Sequence, residues 1–234
     1  MITFLLNGLE VQVPTGYTIL EACQFFGIDI PTLCYYEGLE PYGGCRLCLV
    51  EIGKGENTKL VSSCTYPVEE GMVVRTNTKR VVHVRKVMIE LLLSICQSSK
   101  TIQDLASKFG VTKIRVPVRK EDCILCGRCV RMCKEQMQGS AIGFVERGHK
   151  KKITTPFNIH SEDCRLCGGC IYVCPACQMR CQGPDATTDV CSGCLHFEPS
   201  CINTHDDYQC WSATTGNCGM CEGRPDQQKK KSKN

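Results

Sequence analysis

The 234-residue sequence has no long apolar run, and this absence excludes a membrane-spanning helix. A span needs roughly 20 consecutive apolar residues, whereas the longest apolar patch, residues 87–95, is interrupted by Glu90 and Ser94. The opening residues, MITFLLNGLEVQV, also lack the basic, apolar and small-residue segments of a secretion signal. We therefore expect a cytoplasmic protein without a membrane span.

Motifs for nucleotide binding and for nucleophilic catalysis are absent as well. No G-x-G-x-x-G follows a predicted strand, and neither a Walker motif nor a serine-elbow motif occurs. Substrate chemistry, flavin binding and nucleotide binding are therefore expected in other subunits. The one basic run, residues 229–231 with Lys233, predicts a solvated, disordered tail over residues 229–234 and not a nucleic-acid site.

Cysteine is abundant, with 22 residues, about one in ten. Such a density indicates either a disulfide scaffold in a secreted protein or metal binding in a reducing compartment. Because no secretion signal is visible, the sequence favours metal binding. The formal charge of +4 counts these thiols as neutral, but metal ligands are thiolates, so the basic balance is poor evidence for a nucleic-acid partner.

The first segment, residues 1–78, is predicted to be a small β-grasp-like domain. Alternating residues at 2–6 and 10–13 flank the turn Asn7-Gly8, which is a hairpin signal. Thr18 with Glu21 forms a capping-box pattern for a helix that extends to Phe26. Residues 47–52, 59–63 and 72–76 are predicted as further strands.

Four further segments follow, and the whole predicts an α+β fold. Residues 79–116 form a helical linker with one helix whose apolar stripe includes Leu91 and Leu92, and a second over residues 102–109 that stops at Gly110. Residues 117–176 form a domain with two dense cysteine runs, residues 177–228 a cysteine-rich irregular extension, and residues 229–234 the tail.

The first group of cysteines comprises Cys34, Cys45, Cys48 and Cys64. A [2Fe–2S] cluster needs four thiolates that converge from a loop, and Gly43 and Gly44 permit the tight turns that bring backbone N–H groups to the sulfurs. A zinc site is the alternative, but it typically uses two C-x-x-C pairs, and only one pair occurs here.

Two stretches, TLCYYEGLEPYGGCRLCLVEI and LVSSCTYPVEEGMVVRT, resemble the amino-terminal ferredoxin domain of the large iron–sulfur subunit of respiratory complex I. They are equally similar to the diaphorase iron–sulfur subunit of NAD-linked hydrogenases, and electron-bifurcating complexes reuse the same module. The resemblance extends from residue 1 to about residue 176. It implies that the first four cysteines ligate a [2Fe–2S] cluster.

One cluster of that family is predicted to be missing. The family usually places a histidine and three cysteines after a helix of the VMIELLLS type, whereas this sequence has only Cys96 there. One thiolate cannot hold a [4Fe–4S] cluster. His83 lies too early and is interpreted as an ordinary surface or packed histidine, and Cys23 as a buried free thiol.

Two complete [4Fe–4S] motifs follow, each with the spacing C-x-x-C-x-x-C-x-x-x-C. In two-cluster ferredoxins the fourth cysteine of each motif ligates the other cluster. Cluster A is therefore assigned to Cys123, Cys126, Cys129 and Cys174. Cluster B is assigned to Cys164, Cys167, Cys170 and Cys133.

The extension contains two C-x-x-C knuckles. One is formed by Cys191 and Cys194, and the other by Cys218 and Cys221. These predict either a zinc site or a further [4Fe–4S] cluster. The remaining cysteines of this region are candidates for a second site: Cys177, Cys181, Cys201 and Cys210. A segment with so few aliphatic residues needs metal to fold.

We expect an electron-transfer subunit of a cytoplasmic, hetero-oligomeric oxidoreductase. By resemblance, its partners are a flavin/NAD(H)-binding diaphorase-type subunit and a second redox subunit of the hydrogenase, formate dehydrogenase or acyl-CoA reductase type. Two alternatives remain open at this stage: a free multi-cluster ferredoxin, and a zinc-dependent interaction module whose clusters are structural.

Overall fold

The computed structural model describes residues 1–176 apart from residues 56, 98, 120, 122 and 160. The eight cysteines of the predicted extension, and with them the predicted zinc or extra cluster site, lie outside the described residues. No helix in the described part is long and apolar enough to cross a membrane.

The amino-terminal half is a five-stranded mixed sheet in the order β2-β1-β5-β3-β4. Its strands are β1 (Ile2–Leu6), β2 (Leu9–Val13), β3 (Leu49–Lys54), β4 (Asn57–Ser62) and β5 (Val73–Arg75). The β1–β5 pair is parallel and the other pairs are antiparallel. Asn7 and Gly8 both have positive φ, as a two-residue hairpin turn requires.

Helix α1 (Ile19–Phe25) covers this sheet. Its capping box is complete, because the Glu21 amide donates to Thr18 Oγ1 while the Glu21 carboxylate accepts from the Thr18 amide. The buried face of α1 packs with Phe4, Leu6 and Val50 in the sheet core. The predicted β-grasp arrangement and α+β class are confirmed.

Two helices connect the sheet to the second cysteine region: α2 (Lys79–Ile95) and α3 (Lys100–Phe109). Gly110 ends α3 in the left-handed conformation, as predicted. The predicted apolar stripe on α2 is partly wrong. Leu92 is buried, but Leu91 is 38% exposed, and the buried face runs through Val81, Arg85 and Ile89.

The carboxy-terminal part of the described chain is built from short elements around the two dense cysteine motifs. Helix α4 (Arg128–Arg131) continues into a π-helical turn (Met132–Gln136), and α5 (Gly169–Tyr172) is its counterpart in the second motif. A hairpin of β6 (Gly143–Val145) and β7 (Lys152–Thr154) separates them. Two 3-10 turns, Gly148–Lys150 and Pro156–Asn158, complete this part.

Candidate iron–sulfur centres

The loop between α1 and β3 carries Cys34, Cys45 and Cys48, and the turn after β4 brings Cys64 to them; all four are buried. The Cys34 amide donates to Cys45 Sγ at 3.4 Å, and the Cys45 amide donates back to Cys34 Sγ at 3.5 Å. The sulfurs of Cys48 and Cys64 lie 3.4 Å apart. Hydrogen bonds from the thiols of Cys45 and Cys64 lower the pKa of Cys34 to about 2.

These contacts join the sulfurs in the order Cys45, Cys34, Cys64 and Cys48. In the described part, no three His, Cys, Asp or Glu side chains are arranged as ligands of one metal ion. A [2Fe–2S] cluster uses two protein ligands on each iron, and the two ends of this chain of contacts supply two such pairs. The donor set therefore fits a [2Fe–2S] cluster.

Glycine shapes the loop as the sequence predicts. Gly43 has φ of +68°, and a Cβ on Gly44 would lie 2.5 Å from the Tyr42 ring. The Gly44 amide donates to Cys34, which helps to lower the pKa of that thiol. Backbone N–H groups that point at ligand sulfurs stabilise their negative charge.

The second region separates into two groups of sulfurs. Burial raises the pKa of Cys129, and the neighbouring charges that raise it further come mainly from Cys126, Cys174 and Cys123. Burial also raises the pKa of Cys126 to about 11, again with a contribution from Cys174. Cys174 therefore lies close enough to the cysteines of the first motif to act on their charge, although it belongs to the second motif. The crossed assignment for cluster A requires this proximity.

The other four cysteines line a single cavity of about 500 Å³: Cys133, Cys164, Cys167 and Cys170. Burial raises the pKa of Cys170 to about 11, with added contributions from the other three sulfurs. The Ala141 amide donates to Cys133 Sγ at 3.3 Å. The crossed set proposed for cluster B thus shares one cavity.

The two motifs also share a backbone geometry. Leu125 and Leu166, at matching positions, have φ of +53° and +56°, and Gly127 and Gly168 that follow them both have φ of +70°. The motifs differ after the fourth cysteine. Pro175 follows Cys174, whereas Lys134 follows Cys133 within the π-helical turn.

Three residues that the sequence analysis left outside the clusters are Cys23, His83 and Cys96. Cys23 is fully buried in the sheet core, and burial raises the pKa of its thiol to about 12, which makes it a poor nucleophile and ligand. His83 is exposed. Cys96 is buried in the core between α2, α3 and the loops of Cys34 and Cys126.

Three arginines that the sequence analysis passed over belong to these centres: Arg85, Arg128 and Arg131. Arg85 donates to the carbonyls that flank Cys48, and Arg131 donates to the carbonyl of Cys34. The sequence did contain a sign that Arg85 is buried, because it lies four residues after Val81 and four before Ile89, on the same face of a helix. Charged residues are rarely buried, so this position alone did not single out an arginine.

Comparison with known proteins agrees with this geometry. Residues 1–79 match the family model "2Fe-2S iron-sulfur cluster binding domain", and residues 122–178 match "4Fe-4S dicluster domain". The chain carries a 2Fe–2S domain and a 4Fe–4S dicluster domain.

Curated relatives share these domains. The chain is 37% identical over 180 residues to the NADH-ubiquinone oxidoreductase 75 kDa subunit of Reclinomonas americana, covering 66% of this chain and 26% of that protein. It is 35% identical over 190 residues to the NADP-reducing hydrogenase subunit HndD of Solidesulfovibrio fructosivorans, covering 68% and 32%. The chain therefore spans a third or less of the length of these relatives.

A solved structure has the same fold. A chain in the crystal structure of NAD⁺-reducing [NiFe]-hydrogenase in the H₂-reduced state superposes with a TM-score of 0.60 at 25% identity. The match covers 71% of this chain and 84% of that chain. The predicted resemblance to complex I and hydrogenase iron–sulfur subunits is confirmed.

Proposed function

We propose that this chain is the electron-relay subunit of an oxidoreductase complex in the cytoplasm. Its [2Fe–2S] cluster would be held by Cys34, Cys45, Cys48 and Cys64. Its two [4Fe–4S] clusters would be held by the crossed sets, A on Cys123, Cys126, Cys129 and Cys174, and B on Cys164, Cys167, Cys170 and Cys133. Bound there, the clusters would supply one-electron transfer at low potential.

One observation carries this proposal. A single hydrophobic core contains Cys34 and Cys45 of the binuclear site together with Cys126 of site A. Ser99 at the start of α3 donates to the Pro175 carbonyl at 3.0 Å, which ties the helical segment to the end of the second motif. This packing supports the proposal, because an electron relay requires neighbouring cluster sites and a purely structural metal module does not.

The partners follow from the same proposal. The relatives are named as subunits of NADH dehydrogenases and of a hydrogenase, which supports a hetero-oligomer with a flavin/NAD(H)-binding subunit on one side and a second redox subunit on the other. For the segments, we propose boundaries at 1–78, 79–116 and 117–176. In the extension 177–228, we propose one further metal centre, zinc or iron–sulfur, on residues 191, 194, 218 and 221.

Anaerobic purification of the native protein tests the relay. We expect it to copurify with a flavin-containing subunit, and we expect NADH or NADPH to reduce its clusters only when that subunit is present. A monomer that exchanges electrons with unrelated carriers would favour the free ferredoxin instead. Clusters that no reductant of low potential reduces would contradict electron transfer altogether.

A further inference from the structure

Within the described residues, Arg85 is a buried cation without a carboxylate in contact with it. It is 4% exposed, and in the described part none of its nitrogens lies within 4 Å of an Asp or Glu oxygen. Its guanidinium donates to the carbonyls of Leu47 at 3.1 Å and Leu49 at 2.7 Å. Removing such a charge from water is costly unless another charge compensates it.

Arg128 and Arg131 contact the same loop from α4. From α4, Arg128 Nη2 donates to the Tyr35 carbonyl and Arg131 Nη2 to the Cys34 carbonyl, both at 2.5 Å. The Nε atoms of both arginines are buried and have no hydrogen-bond partner in the described part of the chain. Neither guanidinium has a carboxylate within 4 Å there.

The main acidic groups that act on Arg85 and Arg128 are cysteines proposed as ligands, which are thiolates when they bind iron. The charge of Cys48 is the main one acting on Arg85, and Asp29, a weaker contributor, is already paired with Lys108 at 2.5 Å. The charges of Cys126, Cys34 and Cys45 act on Arg128. Arg128 therefore lies between the binuclear site and site A.

We propose that Arg85, Arg128 and Arg131 are the built-in counter-charges of the [2Fe–2S] cluster, and that Arg128 also serves cluster A. This inference rests on the proposed [2Fe–2S] site. An oxidised cluster with four thiolates carries a net charge of about −2, and reduction makes it more negative. Fixed guanidinium charges beside it favour the reduced form, since arginine stays protonated at any physiological pH.

A redox titration followed by EPR tests this in the full-length chain. At the midpoint potential of the wild-type [2Fe–2S] cluster, Arg85→Met is expected to lower the ratio of reduced to oxidised cluster at least tenfold, a shift of about 59 mV for one electron. Arg85→Lys keeps the charge and is expected to lower that ratio less than threefold. Arg128→Met is expected to lower it for the [2Fe–2S] cluster and for one [4Fe–4S] cluster.

Arg80 is the matched control, because it lies on α2 like Arg85 but is exposed. Arg80→Met is expected to leave the ratio unchanged, since water and salt screen its charge. Iron and sulfide content, measured first, separates the two claims: a wild type without a binuclear signal contradicts the proposed site itself. A wild-type ratio in both Arg85→Met and Arg128→Met, at full cluster content, overturns the counter-charge role. If Arg85→Met does not fold, Arg128→Met alone decides between these results.

Discussion

At the scale of single residues, a proposed cluster ligand and a proposed non-ligand can be equally buried. Cys48 and Cys23 are both almost fully buried. Cys48 contacts another sulfur at 3.4 Å, whereas burial raises the pKa of Cys23 to about 12. Only the first has the environment of a metal ligand.

This difference gives a matched pair of substitutions. Cys48→Ala is expected to remove the binuclear EPR signal and about two irons per chain while both [4Fe–4S] clusters remain. Cys23→Ala is expected to keep all clusters and to cost about 1 kcal/mol of stability, because it removes one buried atom. Iron analysis and EPR of both variants check this, and loss of a cluster in Cys23→Ala would contradict the ligand assignment.

The crossed ligand sets give a second test at this scale. Because Cys123 and Cys174 are assigned to the same cluster, the double variant Cys123→Ala/Cys174→Ala is expected to lose about four irons. Cys123→Ala/Cys133→Ala damages both clusters and is expected to lose about eight. If each motif bound its own cluster, the Cys123/Cys174 variant would instead lose about eight irons and the Cys123/Cys133 variant about four.

At the scale of the elements, the left-handed glycines of the two motifs differ in their surroundings. A Cβ on Gly127 would lie 3.0 Å from the Phe144 ring of β6, whereas nothing lies within 4 Å of the same position on Gly168. The Phe144 ring also stacks on Tyr42, with centroids 6.0 Å apart. Three parts of the chain therefore meet at Gly127: the hairpin of β6 and β7, the first [4Fe–4S] motif, and the loop between α1 and β3 that carries Tyr42.

Alanine substitutions at these two glycines separate the cost of the left-handed backbone from the cost of the contact with the Phe144 ring. Both Gly127→Ala and Gly168→Ala have the left-handed backbone penalty of about 1 kcal/mol, but only Gly127→Ala also displaces Phe144. We expect faster iron release to a chelator in Gly127→Ala than in Gly168→Ala. Equal release rates would contradict the described packing of β6.

Glu90 of helix α2 holds the segment that follows α3, and carbonyls at the end of α2 accept two further bonds, from the Arg119 and Glu121 amides. The Glu90 carboxylate accepts from the Arg115 amide at 2.5 Å and pairs with its guanidinium at 2.6 Å. These bonds lower the pKa of Glu90. Its contribution to stability is therefore present above the unfolded pKa, about 4.3, and is lost as the pH falls through the lower folded value.

Hydrogen exchange at pH 7 tests this anchor. Glu90→Ala is expected to speed amide exchange in residues 111–118, because the Arg115 amide loses its acceptor. Glu121→Ala, which removes a long 3.9 Å contact between exposed side chains, is the control and is expected to leave exchange there unchanged. Unchanged exchange in Glu90→Ala would show that other contacts hold the segment.

Elements with local signals were predictable from the sequence, and those with tertiary causes were not. Thr18 with Glu21, Asn7-Gly8 and Gly110 fix their own turns and caps, so the elements around them were correct to within two residues. The face of α2 was misjudged because Arg85 is buried by carbonyls from a distant loop. The hairpin of β6 and β7 was missed because three-residue strands show no periodicity.

At the scale of the whole molecule, the cysteine spacing predicted two [4Fe–4S] sites and the family resemblance implied the [2Fe–2S] site, but neither indicated how these regions pack together. The shared core of Cys34, Cys45 and Cys126 and the arginines between them come from helices α2 and α4 packing on one loop. No local pattern encodes that arrangement. In the proposed relay, this packing joins the two cysteine regions, and Arg85 of the helical segment contacts the loop that carries Cys48.

Iron, acid-labile sulfide and zinc per chain, measured on anaerobically purified full-length protein, test the central claim most directly. Three clusters require about ten irons, with EPR signals of one binuclear and two [4Fe–4S] centres after reduction. About fourteen irons would retain these three and place a further [4Fe–4S] cluster in the extension, whereas zinc with ten irons would make that centre a zinc site. Clearly fewer than ten irons, or no binuclear signal, would contradict the account.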